Sequence, residues 1–141
     1  MHTVGSILSS RTLQADRAAP RGATAWLRSL STGLSPTRLA DAELCLDELV
    51  TNVIRYGAAR TLTVSVERAG LDLEIAIEDD GRPFDPTAAV LPPLPHTLEE
   101  AVPGGRGLLL VRSIAPTIRY ERRDEANRVT LAFPLDAPPE A

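Results

Sequence analysis

From Leu62 to Glu78 the chain alternates apolar and polar side chains twice over. Leu62, Val64 and Val66 interleave with Thr63, Ser65 and Glu67, and Leu71, Leu73, Ile75 and Ile77 interleave with Asp72, Glu74 and Glu78. A period of two places every second side chain on the same face of a strand. Ala69-Gly70 between the runs supplies a turn, so the segment reads as a β-hairpin with one apolar face. An apolar sheet face must be buried against another layer. The question the rest of the sequence has to answer is what covers it.

Two stretches upstream have the helical period. Leu39, Ala42, Leu46, Leu49 and Val53 recur at spacings of three and four and form one apolar stripe. Ser35-Pro36 is a cap followed by a proline at the first helical position, and Gly57 is a stop, so a helix is expected from there to about Tyr56. An earlier helix is expected from the cap Asp16 to about Ser31, carrying Trp26, Leu27 and Leu30 and ended by Gly33. A short strand over Thr3 to Ser9 would precede it. Downstream, Gly107 to about Ile114 reads as a short apolar helix. Thr117 to Arg122 and Arg128 to Phe133 read as two further strands. The expected fold class is α+β, a two-layer sandwich with a mostly antiparallel sheet covered on one face by helices.

The compositional break lies between Arg82 and Pro103, where six of the twelve prolines fall. Proline lacks the N–H that helix interiors and central strands need, so this is a long loop. Loops of that length inside a compact domain are commonly lids. Length and charge narrow the functional classes. The chain has 141 residues, enough for one domain, with 43% apolar and 24% charged residues and a net charge of -4. All 15 basic residues are arginine. This balance argues against a nucleic-acid-binding surface. The single Cys45 excludes an internal disulfide or a cysteine zinc cluster, and His2 and His96 are too few and too far apart for a histidine metal site. No apolar run approaches bilayer length, and Met1 to Pro20 does not look like a signal peptide. The expectation is a cytoplasmic protein without membrane contact, one domain over residues 1–135 and a flexible tail over 136–141.

Three constellations carry chemistry. Glu48 and Asn52 stand four apart on the second helix and share a face, with Asp41, Cys45 and Arg55 along the same line. A carboxylate can take a proton, a carboxamide oxygen suits Mg²⁺, and an arginine can face phosphate. Alone, this is also what a solvated helix face looks like. Glu78-Asp79-Asp80-Gly81 closes a strand whose apolar residues are buried. It is either a plain turn or a carboxylate at a pocket floor, with Gly81 allowing close approach of a flat ligand. Gly104-Gly105-Arg106-Gly107-Leu108 joins the proline loop to a helix N-terminus, where exposed N–H groups and the helix dipole favour an anion. It lacks the Lys-Ser/Thr of a Walker loop.

The order of the three, helix Glu-x-x-x-Asn, strand-end Asp-x-Gly, loop, then Gly-x-Gly at a helix start, resembles the nucleotide pocket of the GHKL ATPases, also called Bergerat-fold ATPases. The resemblance covers about Arg38 to Phe133 and implies a mixed sheet, with ATP bound between the helices beneath a lid over about Asp85 to Pro103. It implies Glu48 as general base, Asn52 as Mg²⁺ ligand and Asp79 as the group holding the adenine amino group. Gly81 would line the base pocket, and Gly105, Arg106, Gly107 and Leu108 would lie at the phosphates. Arg55-Tyr56 is similar to the basic-aromatic pair that follows the asparagine in many histidine kinases. Asn127 stands near the adenine where a Gly-Thr often sits. Pro103-Gly104 stand where some members carry a basic residue, and Arg106 would substitute for it. The small size, Leu44 to Gly57 and Asn127 to Leu131 are similar to the anti-sigma factor serine/threonine kinases of bacterial partner switching. That branch implies an ATP- and Mg²⁺-dependent kinase that sequesters a sigma factor or similar regulator and phosphorylates a STAS-type anti-anti-sigma protein. It also implies a homodimer in many members. The alternative is a non-catalytic, nucleotide-gated binding module of the same fold.

Overall fold

In the computed structural model, residues 6–88 and 105–135 are described. The elements in chain order are β1 (Ser6–Gln14), α1 (Ala19–Arg28), α2 (Pro36–Tyr56), β2 (Thr61–Ala69), β3 (Asp72–Asp79), α3 (Gly105–Ile114), β4 (Thr117–Arg123) and β5 (Ala126–Pro134). The five strands form one sheet in the order β1-β2-β3-β5-β4. All four pairings are antiparallel. The α+β sandwich is therefore as expected, and the described sheet contains no parallel pair.

α2 forms where the sequence caps it. The Ser35 hydroxyl accepts from the Arg38 backbone N–H at 3.2 Å, Pro36 occupies the first turn, and Gly57 ends the helix with its N–H on the Val53 carbonyl. Ala42, Cys45, Leu46, Leu49 and Val50 are its buried residues along with Asn52. Cys45 thus belongs to the core and not to the polar line with Glu48. Its burial raises the thiol pKa to about 11, with lesser contributions from Asp41 and Glu48. α1 is shorter than expected at both ends. The Asp16 carboxylate accepts from Ala18 N–H ahead of the helix instead of capping it, and the Ser29 hydroxyl donates to the Trp26 carbonyl at its close. An Arg28–Glu43 ion pair ties α1 to α2.

The hairpin turns at Gly70-Leu71, with Gly70 at φ +63°. A positive φ at the first of two loop positions is the II′ pattern that matches strand twist. Leu71 sits in this turn, exposed, so the second alternating run begins at Leu73. β4 and β5 turn through Asp124 and Glu125, both with positive φ. β1 runs from Ser6 to Gln14, further along the chain than the expected Thr3 to Ser9, of which residues 3–5 lie outside the described residues. Leu62, Val64, Val66, Leu73, Ile75, Ile77, Val129, Leu131 and Phe133 form the sheet side of the core, against Trp26, Leu27, Leu46, Leu49, Leu108 and Val111 from the helices. At about 25 cal/mol per Å² of apolar surface, burial of this face is what holds the layers together. Among the described residues no helix is long and apolar enough to cross a membrane.

Candidate functional site

The two adjacent carboxylates at the end of β3 face opposite ways, as successive strand residues must. Asp80 points outward. It accepts the backbone N–H groups of Arg60 and Thr61 at 2.8 and 3.2 Å, which tie down the start of β2 and hold its pKa below the ordinary aspartate value. Asp79 points inward and is only 6% exposed. Its Oδ1 accepts from Gly81 N–H at 2.8 Å and from Asn127 Nδ2 at 3.1 Å. Among the described residues both hydrogen bonds that Asp79 makes fall on this one oxygen, and Oδ2 is left for a donor from elsewhere.

Asp79 forms part of the wall of a pocket between α2 and the sheet. Leu49, Asn52, Val53 and Gly57 line it from α2, Ile77 from β3, Asn127 and Val129 from β5, and Phe84 and Pro86 from the loop after β3. Apolar walls with a few convergent polar groups are the usual make-up of a small-molecule site. The Phe84 ring stacks on Tyr56 at 6.1 Å between centroids. Arg112 of α3 donates to the Pro86 carbonyl through Nε at 3.0 Å, so α3 holds this wall in place.

Asn52 is 3% exposed, and its Oδ1 and Nδ2 are both buried without a hydrogen-bond partner among the described residues. A buried unsatisfied amide costs about 1–3 kcal/mol per group, so native proteins keep one where it does something. Its oxygen is a donor of the kind hard cations take. Glu48 lies one turn earlier, half-buried, with its pKa raised by burial and by Asp47, against a lowering effect from Arg55.

Of the residues expected at the site, the structure brings Asn52, Asp79 and Asn127 together on the pocket wall. Tyr56 stands at its edge on Phe84. Glu48 and Arg55 continue the helix on either side without lining the pocket, Arg55 being exposed. Gly81 has a reason of its own. A Cβ there would stand 2.3 Å from the Gly57 carbonyl oxygen, so the close approach it allows is between the end of α2 and the end of β3. The Arg82 N–H donates to the same carbonyl at 2.7 Å. α3 starts at Gly105, so Gly105, Arg106 and Gly107 supply its first backbone N–H groups, while the side chains of 105–107 lie outside the described residues. Leu108 places its side chain in the core. The expected lid lies outside the described residues from position 89 to 104. Gly57, Phe84 and Pro86 were not foreseen as pocket residues. Their signal was position alone, since they flank the helix end and the Asp-x-Gly turn.

Comparison with known proteins agrees with this fold. The family model described as histidine kinase-like ATPase domain matches residues 10–133. Serine/threonine-protein kinase BtrW of Bordetella bronchiseptica is 40% identical over 94 residues, which span 62% of this chain and 65% of that protein. The chain therefore covers slightly less than two thirds of this relative's length. Among solved structures, the RsbU and RsbW domains of Rv1364c from Mycobacterium tuberculosis match with a TM-score of 0.63 and 18% identity, over 92% of this chain and 33% of that one. The histidine kinase AdeS of Acinetobacter baumannii matches with a TM-score of 0.54 and 19% identity, over 92% of this chain and 69% of that one. At such identities these two show the fold. The family model bears out the resemblance to the GHKL ATPases, and BtrW is a relative that carries the name of a serine/threonine-protein kinase. By its fold, its pocket and the match over residues 10–133, the chain belongs to the histidine kinase-like ATPase family.

Proposed function

We propose that the chain binds ATP with Mg²⁺ in the pocket between α2 and the sheet, and that it is a protein serine/threonine kinase of the anti-sigma type. It would hold a sigma factor or similar regulator and transfer phosphate to a serine or threonine of a small STAS-type antagonist, which then lets go. The observation that carries the reading is the pairing, on one pocket wall, of the orphaned Asn52 carboxamide with the open oxygen of Asp79. The first suits a cation and the second a donor such as an amino group on a base.

The residues divide the work. Asp79 would accept from the adenine amino group. Val53, Ile77, Phe84 and Val129 would exclude water from the flat faces of the base. Asn52 Oδ1 would complete the coordination of a Mg²⁺ ion held chiefly by the nucleotide's phosphates and water, which is how Mg²⁺ is commonly bound. The metal would supply neutralisation of phosphate charge. The backbone N–H groups at the start of α3 would face the phosphates. Glu48, with its pKa raised by burial, would take the proton of the incoming hydroxyl, since a base works best with a pKa brought toward the working pH. Phosphoryl transfer needs mainly positioning and charge neutralisation, which is the work these residues would share. A shared homodimer would follow the same branch.

The test is a titration of ATP with Mg²⁺ and with EDTA, followed by single-turnover transfer from labelled ATP to a candidate antagonist. Binding that needs both nucleotide and metal, with transfer, supports the reading. Binding without transfer to any cognate antagonist leaves the nucleotide-gated module in its place. No binding removes both.

A further inference from the structure

Asn127 is the most heavily bonded side chain of the pocket. Its Nδ2 donates to Asp79 Oδ1 at 3.1 Å and to the Arg82 carbonyl at 2.7 Å. Its Oδ1 accepts from the Tyr120 hydroxyl at 2.6 Å and from the Phe84 N–H at 3.4 Å. A carboxamide has two N–H donors and two acceptor positions, and here all four are used. The partners also fix its sense. A backbone carbonyl can only accept and a backbone N–H can only donate, so a flipped amide would set oxygen against the Arg82 carbonyl and NH₂ against the Phe84 N–H.

The Arg82 carbonyl and the Asp79 carboxylate, which can only accept, set that sense, while the shortest hold on the amide's position is the 2.6 Å contact from Tyr120, on the sheet's edge strand β4. The Phe84 N–H at 3.4 Å is at the far limit of a hydrogen bond. Arg122 of the same strand donates to the Gly81 carbonyl at 2.7 Å, so β4 braces the turn from outside as well. Register explains how two residues distant in sequence meet. Asp79 pairs with Asn127, and Val129 with Tyr120, so β5 carries the amide between the carboxylate and the hydroxyl.

We propose that Tyr120 is a positioning residue for base selection, acting through Asn127: its hydroxyl holds the carboxamide in place, so that Nδ2 stays on Asp79 Oδ1 and the carboxylate is kept with Oδ2 facing the pocket. This rests on the nucleotide reading above and adds to it a determinant of specificity. With Asp79 so held, the pocket accepts a purine that presents an amino donor at position 6 and opposes one that presents a carbonyl there. Without the Tyr120 hydroxyl, Asn127 loses its shortest bond and sits more loosely, its hold on Asp79 Oδ1 weakens, and the carboxylate can shift away from a mismatched base.

The experiment compares ATP with inosine triphosphate, which carries the 6-carbonyl, using tripolyphosphate as a base-free control. Wild type should favour ATP. Tyr120→Phe should lower the ATP-to-inosine triphosphate affinity ratio about five- to tenfold, the worth of one hydrogen bond, with tripolyphosphate binding unchanged. Asn127→Asp, which sets an acceptor against Asp79, should lower it further. In an Asp79→Asn background, Tyr120→Phe should have no effect on the ratio, because the group it positions is gone. A purely structural role for Tyr120 would give the same change in both backgrounds, and that additive result would overturn the proposal. So would a wild-type ratio in folded Tyr120→Phe or Asn127→Asp protein. If wild type binds no purine nucleotide, the nucleotide reading itself falls and this inference with it. If wild type binds ATP and inosine triphosphate equally, only the selection argument falls.

Discussion

Replacing Asn52 by leucine should make the nucleotide-free protein more stable and at the same time blind to Mg²⁺-bound ATP. Leucine has the same branching as asparagine and carries no polar atom. In the wild-type structure both polar atoms of the Asn52 side chain are buried without a partner among the described residues. Each such group costs about 1–3 kcal/mol, and the apolar side chain removes both costs. Leu49, Val53, Ile77 and Val129 around it offer the new methyl groups an apolar lining. The net gain should be about 2–4 kcal/mol. For a domain of this size roughly 3–4 °C of melting temperature accompanies each kcal/mol, so the midpoint should rise by about 6–16 °C. The assay is denaturant unfolding with and without nucleotide and metal. Wild type should gain stability on adding Mg²⁺-ATP through mass action, and the Asn52→Leu protein should gain little. A variant that is less stable than wild type without ligand would refute the reasoning, because it would mean that the amide is satisfied when the pocket is empty.

Asp79→Asn should keep the fold, since the amide oxygen can still accept from Gly81 and Asn127, but it turns an NH₂ toward the pocket. ATP affinity should fall by about 1–3 kcal/mol, or roughly 5- to 150-fold, and calorimetry showing no loss would disprove the pocket assignment. Glu48→Gln should leave Mg²⁺-ATP affinity near wild type and slow transfer to the antagonist about 10²- to 10⁴-fold in single-turnover measurements. In wild type that rate should climb with pH through a value above the ordinary glutamate 4.5, because the base acts deprotonated and its pKa is raised. Cys45 should give an alkaline limb in stability. Its thiol shifts from 9.0 to about 11, so the native state keeps a proton that the unfolded chain has lost. Stability should therefore drop by about 2–3 kcal/mol as pH rises across that interval, and Cys45→Ala should flatten the drop in urea melts at pH 8 and pH 10.5.

What could be read from the sequence was whatever is encoded locally. Ser35-Pro36 and Gly57 bound α2 because capping is a matter of neighbouring residues, and the alternation from Leu62 to Ile77 gives the hairpin for the same reason. β1 was misplaced because it is an edge strand with little apolar content. Ser9, Ser10, Thr12 and Gln14 leave no alternation, and its residues are fixed by pairing with β2. Cys45 was misassigned because a small side chain between the apolar stripe and the polar line fits either. In the site, Asn52 and Asp79 could be anticipated from their motifs. The role of Asn127 could not, since it depends on a β3–β5 register joining positions 48 residues apart. Gly81 was singled out for closeness to a ligand, whereas the backbone it meets is the chain's own, at Gly57.

The placement of β5 bears on how the protein is made. It follows every other described element in sequence, yet it lies inside the sheet, between β3 and β4. As the chain emerges during synthesis, β1, β2 and β3 can pair at once, but β3 must wait with an open edge until residues 126–134 arrive. For that interval the sheet presents unpaired backbone of the sort that seeds association between chains. β4 has no neighbour in the sheet other than β5 and cannot dock before it. The pocket wall formed by Asn127 and Val129 is completed in the same step, so nucleotide cannot act as a folding aid for the early intermediates. A nascent chain stalled before Ala126 would be expected to need a chaperone where the finished one does not.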